Sequence, residues 1–254
     1  MTEQSQGYGL LHPRSGLLSA ASGDLRNLHR QRQLEIINYQ LGHFGPLVTP
    51  KTSIETAVSM LPPAGGRLIL SEGIWTFRTG VTIEKPVHIY AATPLGTIFS
   101  RTGDFNTPMI TLTSNFSTVH GIKFIDSDDT NEVSSIKVTA DYATVSDCVF
   151  ENVGTGVLID GGDWAKVNCC TFQSCSDHGI DITGTSVQNI ISNNRFVSCS
   201  DVDLNMGASV DYTVIAGNSF ATSGGTIVMT GNNNQTAAEL ESCNAVPSGN
   251  ITRS

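Results

Sequence analysis

The chain repeats itself along much of its length. Phenylalanine recurs at positions 124, 150, 172, 196 and 220, at intervals of 26, 22, 24 and 24 residues. Five residues before these stand Val119, Val145, Val167, Ile191 and Ile215. Eight before stand Phe116, Tyr142, Trp164, Gln188 and Tyr212, and nine before stand Asn115, Asp141, Asp163, Val187 and Asp211. The unit therefore opens on [Asn/Asp]-[aromatic], and one coil, carrying Val187-Gln188, departs from it. A second apolar pair follows each Phe: Ile136-x-Val138, Val157-x-Ile159, Ile180-x-Ile182, Val202-x-Leu204 and Ile227-x-Met229, with Ile110-x-Leu112 as the precursor before Phe124. A unit of this length holds two or three strands of a few residues and cannot bury its apolar face alone. Stacked coils can, with like residue above like at about 4.8 Å. Alternation within the short strands sends Ile and Val inward and Asp, Lys and Thr outward. Ile122, Cys148, Cys170, Asn194 and Asn218, two residues before each Phe, form a turn column. There Asn tolerates a left-handed backbone and its amide ladders between coils.

These columns resemble the right-handed parallel β-helix family, the single-stranded pectate-lyase-like solenoid, from about Gly65 to Met229. Val145-Ser-Asp-Cys-Val-Phe150 and His178-Gly-Ile-Asp-Ile182 look most like its generic coil. Pro62-Pro-Ala-Gly-Gly-Arg-Leu-Ile-Leu-Ser-Glu-Gly-Ile-Trp-Thr-Phe77 looks like its first coil. The resemblance implies an all-β fold: a single-stranded right-handed parallel β-helix with a short N-terminal helical arm and cap. Within the family the chain is most similar to bacteriophage tailspike and tail-fibre virion proteins. The fold does not settle the function, because the same solenoid serves lyases, hydrolases and viral tailspikes.

The sequence divides into four parts: an arm over residues 1–48, a capping helix and turn over 49–64, the solenoid over 65–230, and a C-terminal cap and tail over 231–254. Thr52-x-x-Glu55 reads as a capping box opening a helix Ser53–Met60 that Pro62-Pro63 stops. In the arm, Asp24 and Gly42 bracket a helical pattern whose apolar residues Leu25, Leu28, Leu34, Ile37 and Leu41 are candidates for attachment to a partner. The alternative is that this segment packs as a cap on its own solenoid. Net charge supports a boundary. Residues 1–105 carry nine Lys/Arg against seven Asp/Glu, and residues 106–254 carry five against sixteen. An acidic body argues against nucleic acid as partner, since phosphate contacts need Lys and Arg. No apolar run is long enough to span a bilayer, and Met1-Thr-Glu-Gln-Ser-Gln lacks a secretory pattern. The cysteines, at 148, 169, 170, 175, 199 and 243, read as reduced, buried small hydrophobes with no zinc-type spacing.

Candidate chemistry is sparse. Asp177, Asp181, Asp201 and Asp203 are expected together on the outside of two adjacent coils, because Ser174-Cys-Ser-Asp177 repeats as Ser198-Cys-Ser-Asp201. Neighbouring rungs would put Asp181 and Asp203 about 5 Å apart, the separation of a retaining glycosidase pair. The same cluster offers a calcium site, or is simply a solvated acidic face; no resident cofactor or metal is otherwise expected. A lyase needs a cationic base, and Lys123, Lys137, Lys166 and Arg195 are scattered. His120 and His178 read as isolated turn or surface residues. Asp126-Ser-Asp-Asp129 with Glu132, and Asp160-Gly-Gly-Asp163, are acidic loops on coils of unequal length. The aromatic column is either a structural stack or, if it faces outward, a platform for sugar rings on Tyr142, Trp164 and Tyr212.

The expected function is that of a phage virion structural protein, a tail fibre, tailspike or capsid-attached spike. It is expected to be a homotrimer, assembled in the host cytoplasm, held to other virion proteins through residues 1–48 and binding a host-surface polysaccharide. A polysaccharide depolymerase, hydrolase or lyase, on the same fold is the alternative. A non-catalytic carbohydrate-binding module is the third reading.

Overall fold

The computed structural model describes residues 47–103, 105–126, 133–221, 227–230, 235–236 and 252–253. The chain divides between Phe44 and Gly45 into two units, and the described residues belong to the second. The attachment candidates Leu25, Leu28, Leu34, Ile37 and Leu41 lie outside them, as do Asp129, Glu132 and Cys243.

Each coil contributes one short strand to each of three parallel sheets, which hold nine, eight and seven strands. The nine-stranded sheet carries the Val/Ile column. Val119 pairs with Val145, Val145 with Val167, Val167 with Ile191, and Ile191 with Ile215. The seven-stranded sheet carries the Phe column, with Phe124, Phe150, Phe172, Phe196 and Phe220 in direct register. Their rings stack in parallel at 4.9–5.0 Å between centroids. The column runs two rungs further than the repeat showed, through Phe99 to Trp75. Both are buried, whereas Ile74 beside Trp75 is exposed.

The ends are closed by short elements. Leu47–Val48 is already a strand, paired with Ile69–Leu70, so the solenoid begins inside the segment read as arm. Helix Ile54–Ser59 buries Ile54, Ala57 and Val58. Its N-cap is Ser53, whose Oγ accepts from the Thr56 N–H, rather than Thr52, which is spent on a turn to the Thr49 carbonyl. Lys85 Nζ donates to the Leu61 carbonyl just past the helix and to the Val58 carbonyl, which also accepts from the Leu61 N–H. Towards the C-terminus, Gln235–Thr236 and Thr252–Arg253 pair with the nine- and eight-stranded sheets, so the segment read as tail adds strands.

One buried ion pair ties the long early coils. Arg101 Nε lies 2.9 Å from Asp126 Oδ2, both fully buried. The guanidinium also donates to the Phe105 and Ser134 carbonyls and covers the Phe105 ring. Burial lowers the Arg101 pKa and Asp126 opposes that. A buried charge held on several sides in this way costs several kcal/mol if one partner is removed.

The eight-stranded sheet corrects the sequence alignment in one place. Ile180 pairs with Leu204 and Ile182 with Met206, so Val202-x-Leu204 is not the core pair of its coil; Leu204-x-Met206 is. A two-residue slip keeps the inside–outside alternation intact, so alternation alone does not detect it, although the 24 residues from Phe172 to Phe196 also carry Ile180 to Leu204. Asp181 therefore faces Asn205, and Asp203 falls in register with Gly179, in an inward column with Gly156 and Ser135. Asp203 is 2% exposed. Burial raises its carboxyl above the ordinary range, partly opposed by hydrogen bonding to Cys199. The Cys199 thiol is raised in turn, by its contact with Cys175 first and then by burial. Among the described cysteines four are buried and unpaired, as expected; Cys169 is exposed at a corner, against expectation.

Two outcomes follow from these columns. Phe172→Ala, which removes a ring stacked on both faces, should cost about 3–5 kcal/mol in a urea melt. Phe220→Ala, with one stacked neighbour among the described residues, should cost clearly less; equal losses would contradict the ladder. Asp203 has a raised folded pKa, so its stabilising contribution is present below the ordinary carboxylate range and is lost as pH rises through the folded value. Asp203→Ser, copying Ser135 of the same column, should raise the melting temperature by a few degrees at pH 7 and by little at pH 4. The opposite pH trend would place the carboxyl in water.

Candidate functional site

The corners between the eight- and nine-stranded sheets hold the aromatic column. Phe116, Tyr142, Trp164, Gln188 and Tyr212 all have φ between 55° and 64°. That left-handed region costs an L-residue with a bulky side chain roughly 1–2 kcal/mol. The preceding Asn/Asp column holds them there. Asn115 Oδ1 accepts from the Asp141 N–H, Asp141 Oδ1 from Asp163, and Asp163 Oδ1 from Val187, at 2.9–3.1 Å. The aromatic residues donate their own N–H groups to the next coil: Phe116 to the Asp141 carbonyl, Tyr142 to Asp163 and Trp164 to Val187. The [Asn/Asp]-[aromatic] motif is thus a coil-to-coil hydrogen-bond ladder with a ring on each rung.

The other two corners use the same backbone conformation without rings, mostly on small residues, with Leu95 of an early coil as an exception. One holds Gly121, Asp147, Cys169, Asn193 and Gly217; the other holds Asn152, Ser174 and Ser198. Only the first corner places large rings at a position where Gly or Asn costs least. Those rings are exposed: Phe116 by 57%, Tyr142 by 45%, Trp164 by 42% and Tyr212 by 56%. The column is a stack and it also faces water. Phe116 and Tyr142 stack at 4.9 Å, Tyr142 and Trp164 at 6.1 Å, with planes within 9°. Within the described residues no protein group bonds the Tyr142 or Tyr212 hydroxyl, the Trp164 Nε1–H or the Gln188 side-chain amide.

The carboxylate cluster survives only in part. Asp177 and Asp201 lie outside on adjacent coils with His178 between them, Nδ1 at 2.7 Å from Asp177 and Nε2 at 3.7 Å from Asp201. His178 is therefore not isolated. Thr155 Oγ1 also donates to Asp177. Asp181 accepts from the Asn205 amide at 2.8 Å; burial raises its carboxyl, Asn205 and His178 oppose this, and Asp177 and Asp160 add to it. Asp160 pairs with Lys137. Asp203 is inside, so the retaining pair with Asp181 does not exist. Donor atoms of Asp177, His178 and Asp201 lie within 4.8 Å of one another. That set would suit a divalent cation, but each donor is already engaged by its neighbour. His120 bonds Ser146 and lies near Asp147 at another corner. Lys123 and Arg195 share a column three rungs apart. A cleft of about 210 Å³ between the capping helix and Trp75–Thr79 brings Glu55 and Arg78 to its walls without a further reactive group.

Sequence reasoning found the aromatic column but missed Asn205 and Thr155, whose roles depend on the register between sheets. It noted Gln188 only as a departure. Among the described residues no helix is long and apolar enough to cross a membrane.

Comparison with known proteins bears on the fold. Residues 134–248 match the family described as the right handed beta helix region. No curated protein matches the chain in sequence. Among solved structures it is similar to the catalytic domain of a GH87 alpha-1,3-glucanase in complex with tetrasaccharides. The identity is 15% and the TM-score 0.55, over 75% of this chain and 38% of that one. It overlaps less well with ORF18 of Geobacillus virus E2, at 12% identity, TM-score 0.38, 84% of this chain and 63% of that one. A pectin methylesterase from Aspergillus niger gives 11% identity and TM-score 0.39, over 80% of this chain and 84% of that one. The chain spans well under half of the glucanase domain, and at these identities the likeness is one of fold. Three in-register parallel sheets wound coil upon coil, with the family model matching somewhat under half of the chain, give the fold of a right-handed parallel β-helix.

Proposed function

We propose that the protein binds a surface polysaccharide along its aromatic corner, as a non-catalytic β-helical spike on a virion. The observation that carries the glycan reading is the choice of residue at that corner. Four of five rungs place an exposed ring in a backbone conformation that favours Gly or Asn, while the other corners place no ring there and, Leu95 apart, use small residues. A recurrent local cost for rings that bury only about half of their surface points to what the side chains present outward. Rings with unengaged hydroxyl, indole and amide tips suit polyols, which offer both C–H faces and hydroxyls.

The virion assignment rests on the sequence. The segment over residues 1–48 is basic and apolar against an acidic solenoid, which suits docking to other virion proteins or to threefold mates. The described cysteines are unpaired, in keeping with assembly in a reducing host cytoplasm. A depolymerase reading loses its main support with Asp203 inside the solenoid; Asp181 remains as a carboxyl raised by burial, without a second carboxylate across the rung.

Trp164→Asn and Tyr212→Asn test the glycan reading, because Asn keeps the left-handed corner. Each should change stability by no more than about 1 kcal/mol. Each should weaken binding to a polysaccharide retained by the wild type in affinity electrophoresis by at least about tenfold, or about 1.4 kcal/mol. Unchanged retention would overturn it. Solution mass tests the spike: a trimer is expected, and a stable monomer would contradict that part.

A further inference from the structure

We infer that the break in the ladder at Gln188 is a slot for one uncharged sugar ring, held between Trp164 and Tyr212. This rests on the glycan reading above and assigns its central subsite. Along Phe116, Tyr142 and Trp164 the rings lie face to face, so the stack offers a ligand mainly its edges. At Gln188 the succession of rings stops, and it resumes one rung later at Tyr212. The Gln188 N–H still donates to the Asp211 carbonyl, and the Trp164 N–H to Val187, so the coils keep their spacing through the gap. Two rungs separate Trp164 from Tyr212 by about 10 Å. The face of Trp164 away from Tyr142 and the opposing face of Tyr212 are therefore not covered by another ring.

Gln188 lies between them, half-buried, with its amide unbonded by any described residue. Turning it outward breaks no protein hydrogen bond and costs only a rotamer change. The space then admits a ring whose C–H faces meet the two aromatic faces. The amide supplies a donor and an acceptor to its hydroxyls at the mouth, beside the free Trp164 Nε1–H and Tyr212 hydroxyl. The residues adjoining the two rings in sequence are Asp163 and Asp211. Their negative charges lie near enough to disfavour a sugar carrying a carboxylate, which leaves an uncharged ring as the occupant.

Gln188→Tyr tests this directly. It restores the aromatic pattern of the column, so folding is expected, and it fills the slot. The probes are neutral gluco-, manno- and galacto-hexasaccharides and an oligogalacturonate of equal length. They are read by affinity electrophoresis and by the emission of Trp164, the exposed one of the chain's two tryptophans. The slot requires that a neutral probe bind the wild type, that Gln188→Tyr lose at least about tenfold, and that Cys169→Asn, at an exposed position of another corner, bind as the wild type does. If Gln188→Tyr binds equally or better while Phe116→Asn loses affinity, the glycan lies along the ridge and the slot is wrong. Preference for the oligogalacturonate would overturn the uncharged assignment and leave the glycan reading standing. Absence of binding to every probe, with no polysaccharide retained either, would overturn both.

Discussion

Parallel backbone pairing between successive coils is the constraint on which everything else depends. It sets neighbouring coils about 4.8 Å apart and places each residue above its counterpart. A side chain chosen once is therefore judged against copies of itself. Phenylalanine passes that test inside, where rings stack in parallel from Phe124 to Phe220. Asparagine passes it at buried corners. Asn194 Oδ1 accepts from the Cys170 N–H and Asn218 Oδ1 from Asn194, while their amides donate to the Val167 and Ile191 carbonyls. Such ladders let sharp turns enter the interior without orphaned polar groups.

The same constraint makes exceptions informative. A buried carboxyl in a column of Gly and Ser, Asp203, is an exception inside, and it ends beside two thiols rather than at a site. The aromatic corner is an exception outside. Its Asx ladder explains how the strained backbone is held, but the ladder would serve small residues equally well. What the rings add is a ridge facing solvent, with polar tips that the protein leaves unused. The functional argument therefore lives on side-chain choice rather than on the fold, which at this level of identity is shared with proteins of different activity.

Much of this was legible from spacing alone. The Val/Ile, Phe and Asx-aromatic columns all appear as sequence offsets, because each corner between them has constant length. The column of Asp181 was misplaced because the apolar pair was set at Val202, six residues after Phe196, whereas Leu204 follows Phe196 by the same eight residues that separate Ile180 from Phe172; a shift of two preserves alternation and hid the slip. Phe99 and Trp75 escaped because the first coils lack the Asx-aromatic pair. Whether Tyr142 and Trp164 faced water could not be read from offsets, since a left-handed corner points its side chain by φ and not by strand parity. The cap shifted from Thr52 to Ser53 because the helix begins one residue later, at Ile54, after a turn closed by the Thr52 N–H on the Thr49 carbonyl.

The central claim is that the aromatic corner is the ligand-binding face. Backbone amide shifts of the isotopically labelled protein, followed by NMR while a neutral hexasaccharide is titrated, test it most directly. The account predicts shifts concentrated at Tyr142, Trp164, Gln188 and Tyr212 and their Asx neighbours, with the Asp177–His178–Asp201 surface unmoved. Shifts centred on that acidic surface instead would contradict it.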